Sequence, residues 1–128
     1  YLWSVDEYKN EPSLITPTEE TRVPLMAVYR EGKGGELPLS AEGIQLSKKG
    51  VLVTAFGANT DGDGEVLRVW EQAGDAGECV ITLPDSGYRT AQYCNLRGER
   101  LGKAFPVKQN KITVNLKAYQ PLSLILEK

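Results

Sequence analysis

The chain has no histidine at all among its 128 residues. Histidine is the commonest general base near neutral pH and the commonest zinc-binding side chain. Its absence removes Ser-His-Asp and Cys-His nucleophile systems, HExxH metalloprotease chemistry and any mixed histidine–carboxylate zinc site. Cysteine is also scarce, with two residues. Two are too few for a disulfide-framed miniature fold, and a chain of this length can hide roughly two-thirds of its unfolded surface without such staples. Excess charge of one sign is lacking too: 15 basic residues face 17 acidic ones, for a formal net charge of -2. No basic stripe forms to follow a phosphate backbone or an anionic bilayer, so neither nucleic acid nor membrane is expected as a partner. Long apolar runs are missing as well. The longest, "VLVTAF" and "LSLIL", are strand-sized and far short of the roughly 20 residues of a membrane-spanning helix. The chain opens on Tyr1 rather than methionine and carries no leader pattern, which predicts a piece cut from a longer polypeptide.

What is present reads as strand. The apolar segments are short, rich in Val, Ile, Leu, Thr and Tyr, and bounded by Gly, Pro, Asn or Asp. Nine candidate strands follow, over 23–29, 43–47, 51–56, 65–71, 78–83, 89–95, 104–108, 111–117 and 122–127. Between them lie turn-like joints: "GKGG", "KKG", "NTDGDG", "PDSG", "RGERLG" and "QN". In "KITVNL", Ile112, Val114 and Leu116 alternate with Thr113 and Asn115, so one face is buried and one is wet. Many short strands without helical interludes predict an all-β fold, an antiparallel β-sandwich of about eight or nine strands, Ig-like or of the glycosidase accessory kind. Residues 1–20, acidic and punctuated by proline, read as a connecting segment, and 21–128 as the sandwich domain.

The stretch "NTDGDGEVLRVWEQAG" concentrates the polar candidates. An EF-hand loop needs oxygen ligands at positions 1, 3 and 5, glycine at 6 and a bidentate glutamate at 12. Asn59, Asp61, Asp63 and Gly64 satisfy the first four, but the twelfth position is Trp70 and Glu71 misses by one. "EVLRV" alternates like a strand besides, so the EF-hand is excluded. A looser calcium site through Asp61 and Asp63 stays open beside an Asx- and Gly-rich β-turn, and no metal is assigned. Behind the turn, Val66, Arg68 and Trp70 share one strand face, and Leu67, Val69 and Glu71 the other. Two largely apolar faces predict a central strand. An unpaired buried charge is costly, so Arg68 is expected either to form an internal ion pair with a carboxylate or to emerge, with Glu71, at an interface.

Cys79 and Cys94 fall on strands joined by "PDSG". A hairpin turning at Ser86 and Gly87 would place them opposite each other, with a disulfide conceivable and two buried free thiols the commoner outcome. The compartment stays open between a reducing cytosol and an oxidising one, with periplasm or secretion favoured. Trp3, Trp70 and six tyrosines could stack on sugars, but their spacing predicts no planar platform. A carboxylate-pair hydrolase would need two acids roughly 5 to 9.5 Å apart in a cleft, and no such pair is evident in the sequence.

Leu67, Arg68, Val69, Trp70, Glu71 and Gly74, after a turn containing glycine and asparagine, resemble the motif L-R-L-(Y/W)-E-x-x-G. That motif occurs in the C-terminal β-sandwich region of glycoside hydrolase family 38, the α-mannosidases. "CVITLP", "AQYCNLRGERLG" and "ITVNLKAYQPLSLIL" continue the resemblance, which spans Thr21 to Lys128. It implies a parent enzyme that is a retaining α-mannosidase, with a histidine- and aspartate-bound zinc ion and an aspartate nucleophile in an N-terminal α/β domain. No catalytic residue and no cofactor are expected in this fragment; zinc is expected in the absent catalytic domain. The resemblance implies a non-catalytic accessory domain that packs on that catalytic domain and helps to line the sugar site. Mannosides are then a possible ligand class, with Arg68 and Glu71 the first candidates near substrate or at the domain interface, and Asn59, Asp61 and Asp63 the second. A stand-alone carbohydrate-binding module remains the alternative, and a generic adhesion sandwich is not excluded.

Overall fold

Strand periodicity sorts the side chains of the sandwich into a core side and an outer side. The computed structural model describes residues 2–29, 31–32, 34–36, 38, 40–84 and 87–128. Its strands are β1 (Gln45–Leu46), β2 (Val51–Ala58), β3 (Glu65–Glu71), β4 (Gly77–Thr82), β5 (Thr90–Cys94), β6 (Phe105–Pro106), β7 (Lys111–Leu116) and β8 (Pro121–Glu127). All pairings are antiparallel. A three-stranded sheet, β1-β4-β7, packs on a five-stranded sheet, β2-β3-β8-β5-β6. The chain is an antiparallel β-sandwich, as expected.

The core is built by the inward halves of these strands. Leu67 and Val69 from β3 and Leu122, Leu124 and Leu126 from β8 meet Cys79 and Ile81 from β4 and Ile112, Val114 and Leu116 from β7. Each fully buried aliphatic side chain contributes about 1.5–3 kcal/mol relative to exposure. In β7 burial alternates strictly, as "KITVNL" predicts. In β8 five consecutive residues, Leu122 to Leu126, are buried, because it is the middle strand of the larger sheet. β3 lies between β2 and β8, so the expectation of an interior strand also holds.

Three expectations need correction. The first is "VPLMAVY": residues 23–29 form no strand, and Val23, Leu25, Met26, Val28 and Tyr29 are exposed. Its composition favours a strand, but no strand among the described residues pairs with it.

The second concerns helix. A π-helical turn, Glu11–Ile15, runs into α1, Thr16–Arg22. Pro12 and Pro17 sit in the first turns of these elements, where a missing N–H costs nothing. The helix ends before Pro24, which disfavours helical geometry at Val23. Ser13 and Ile15 are its buried residues, and Asn10 ties it to the sandwich through the carbonyl of Ala73 at 3.0 Å.

The third is the hairpin joining Cys79 and Cys94. β4 pairs with β1 and β7, whereas β5 pairs with β6 and β8, so the chain crosses from one sheet to the other. Cys79 stands opposite Val114 and Cys94 opposite Ser123. Both thiols are buried and free. The proposed turn centre at Ser86 lies outside the described residues, as does Lys33 in "GKGG". The "QN" turn is present: Gln109 and Asn110 have φ of 52° and 57°. Lys111 N–H closes onto the Lys108 carbonyl at 2.9 Å, giving the left-handed pair of a two-residue turn.

Candidate functional site

Arg68 and Glu71 lie on opposite faces of β3, and the sandwich treats the two charges differently. Glu71 points to the core side at the strand's end and is fully buried. Its carboxylate accepts four backbone N–H groups. Ala73 (2.9 Å) and Asp75 (3.3 Å) donate to Oε1, and Gly74 (3.0 Å) and Tyr119 (2.8 Å) to Oε2. It thereby joins the turn after β3 to the turn before β8. Tyr119 sits at φ 60° and Gly74 at φ 79°. A side chain at position 74 would collide with the Tyr119 ring, so glycine is required there. Multiple N–H donors satisfy a buried carboxylate without a cation. Glu71 is therefore enclosed by its own domain.

Arg68 lies on the outer face of the five-stranded sheet, in a row with Ser123 and Cys94. It is half-buried. The expected ion pair is not formed: no salt bridge among the described residues includes Arg68. Instead Nε donates to Ser123 Oγ at 2.9 Å and Nη2 to the Leu96 carbonyl at 3.0 Å. Nη1 has no hydrogen-bond partner among the described residues.

The Leu96 carbonyl is delivered by a loop that folds back over the sheet. Asn95 Oδ1 accepts the N–H groups of Arg97 (2.9 Å) and Glu99 (3.0 Å), an Asx-type turn that sets the loop's direction. Farther along, Arg100 bonds Glu127 Oε1 at 2.6 Å and the Asp63 carbonyl at 3.4 Å. Gln92 donates to the Gly102 carbonyl at 2.8 Å. Ile125, outward-facing by strand parity, is consequently buried. Burial raises the pKa of the Cys94 thiol, against the opposing pull of Arg68 and Arg100.

The "NTDGDG" segment resolves as a turn. Asn59 N–H bonds the Gly64 carbonyl at 3.0 Å, and Asp61 N–H bonds Asn59 Oδ1 at 3.3 Å. Gly64, at φ 90°, has no room for a Cβ against Ile125 and Leu126. Asn59 also packs against Gly98 of the neighbouring loop. Among the described residues no group of three or more His, Cys, Asp or Glu could hold a metal ion.

Two recesses flank Arg68. One, about 210 Å³, is polar and includes Asn59, Thr60, Asp61, Arg97 and Gly98. The other, about 370 Å³, is lined by Thr54, Arg68, Trp70, Leu96 and Pro121. Trp70 stands beside Arg68 on the outer face, half-exposed, its indole N–H on the Tyr119 carbonyl at 3.1 Å. Arg68 thus meets Asn59 and Asp61 at one recess. Asp63 lines neither recess, its carbonyl accepting from Asn59 and Arg100, and Glu71 is on the opposite face. Leu96 and Arg97 escaped the sequence reading. Their one signal was the "NLRG" turn, which does not say where it folds.

Most of the residues just described, those of β8 excepted, fall within a recognised sequence pattern. Residues 50–120, more than half of the chain, match the family model of the glycosyl hydrolases family 38 C-terminal beta sandwich domain. The chain belongs to that family. No curated protein and no solved structure matches it. The match runs from the residue before β2 to the residue before β8. It therefore includes Arg68 and Glu71 of β3, the loop over the outer face and both cysteines. As a family 38 C-terminal sandwich, the chain is an accessory domain of a glycosyl hydrolase, and a catalytic domain is its implied partner. No helix among the described residues is long and apolar enough to cross a membrane.

Proposed function

We propose that this domain serves an α-mannosidase-like parent by packing on its catalytic domain through the outer face of the five-stranded sheet. Asn59 and Asp61 then stand at the rim of the sugar site. The observation that carries this reading is the family match over 50–120. Support also comes from the outer face itself, where Arg68 and Trp70 border recesses instead of a smooth hydrated surface. Conserving the sandwich's shape is then its contribution to catalysis. On this reading the zinc and the nucleophile that the α-mannosidase resemblance implies lie in that catalytic domain.

A stand-alone sugar-binding module is less well supported. Stacking on a sugar needs rings gathered on one surface. Trp70 lies on the outer face, whereas Phe56 and Tyr93, paired with Leu67 and Leu124, have core-side parity. Calorimetric titration of the chain with mannose-containing oligosaccharides tests the choice. No heat at millimolar sugar is expected, together with loss of activity when the sandwich is deleted from the parent enzyme. Saturable heat would convert the reading into a carbohydrate-binding module, and full activity without the sandwich would remove it.

A further inference from the structure

The 370 Å³ recess combines one cation with an otherwise mostly apolar lining. The guanidinium of Arg68 is held at two nitrogens by Ser123 and Leu96, so its plane is set before any ligand arrives. Nη1 is left over. Its two N–H groups have no partner, and no carboxylate lies within ion-pairing distance, among the described residues. Arg100, nearby on the same face, shows the contrasting state, closed onto Glu127 at 2.6 Å. A half-buried guanidinium fixed in orientation and lacking an anion is complementary to a carboxylate.

The lining narrows the ligand further. Trp70, Leu96 and Pro121 offer an indole face and two aliphatic surfaces. The one hydroxyl, on Thr54, is turned toward the Arg68 carbonyl at 3.4 Å. A neutral sugar desolvated here would leave most of its hydroxyls without partners, which is costly. A carboxylate next to a large apolar group satisfies both halves of the recess.

We propose that Arg68, Trp70, Leu96 and Pro121 form a receptor for an acidic side chain on a neighbouring polypeptide surface, with its carboxylate on Nη1 and an adjoining apolar side chain in the recess. This rests on the accessory-domain reading, in which the neighbouring surface is the parent's catalytic domain. Displacing water from the pair strengthens it, since charge–charge attraction grows as the local dielectric falls.

The test uses the 128-residue chain and two blocked dipeptides, N-acetyl-Glu-Phe-amide and N-acetyl-Gln-Phe-amide. Nitrogen-15 NMR reads the Arg68 Nε–H and Trp70 Nε1–H signals. Both signals should shift saturably with the Glu peptide and at least tenfold more weakly with the Gln peptide. Arg68→Gln should abolish the difference. Thr54→Glu, which places a carboxylate beside the recess, should block the peptide even if Arg68→Gln disturbs folding. Equal responses to the two peptides, or an unmoved Arg68 signal, would overturn the proposal. Glucuronate binding more tightly than the Glu peptide would overturn the polypeptide occupant. A chain that binds the peptide, in a parent enzyme indifferent to loss of the sandwich, would leave this site standing and remove the accessory role; the converse would remove this site alone.

Discussion

The two faces of β3 solve the same problem, a charge on an interior strand, in opposite ways. On the core face, Glu71 is completely enclosed and receives four backbone N–H groups from two turns. On the outer face, Arg68 has two of its three nitrogens engaged and one directed to no partner among the described residues. A charge whose partners all come from its own domain is part of the architecture. A charge left with spare donors beside a recess is a place where something else can bind. The difference separates the two residues that the family motif places three positions apart.

The comparison can be broken first at Glu71. Glu71→Ala strands four part-buried N–H groups, each costing up to about 1–3 kcal/mol when unsatisfied, less whatever water can enter. A loss of about 4 kcal/mol in urea unfolding is expected, and a loss below about 1 kcal/mol would show that the cage is dispensable. Gly74→Ala attacks the same cage from the backbone, through its left-handed φ and its closeness to Tyr119. Here about 2 kcal/mol is expected, and an unchanged melting temperature would contradict it. Arg68→Gln should cost about 1 kcal/mol or less, because only two hydrogen bonds near the surface are lost. In the full-length parent, the same change or Arg68→Ala should lower activity or loosen domain docking. A stability loss in the isolated chain as large as that of Glu71→Ala would erase the distinction between the faces.

The smallest effect concerns pH. Glu65 is held below the usual carboxylate pKa by hydrogen bonds from Tyr88 and then Lys128. Glu127 is lowered by the hydrogen bond and charge of Arg100, with help from Thr90. Lowered folded-state values favour the fold above the unfolded value of about 4.3, and that contribution fades as pH falls through the folded values. A shallow acid limb below about pH 4.3 is expected in thermal melts. Glu65→Gln should flatten it; an unaltered limb would assign it elsewhere.

Much of this architecture was legible from alternation. Strand positions and the interior status of β3 follow from where Leu67 and Val69 sit relative to Arg68 and Trp70. Sheet membership did not follow, because a turn such as "PDSG" suits either a hairpin or a crossover. Pro12 and Pro17 hid a helix whose first turns tolerate them. Residues 23–29 misled because composition reports what a strand would like to bury and says nothing of the partner's presence. The site was half legible. Parity put Arg68 and Glu71 on opposite faces, but Ser123, Leu96 and Tyr119 reach them from sequence separations of 28 to 55 residues. In Glu71 and Gly74 the E-x-x-G spacing acquires a cause, since it places an N–H on the carboxylate at a left-handed position where the Tyr119 ring leaves no room for a side chain.

The crossing from β4 to β5 gives the molecule two independent clocks. Cys79 is sealed between the sheets, while Cys94 lies on the far side of the larger sheet beneath the loop that includes Leu96 and Arg100. With about 10 Å between packed sheets, the two sulfurs cannot meet while the fold persists. A thiol reagent should therefore time two separate events, peeling of the outer loop at Cys94 and parting of the sandwich at Cys79.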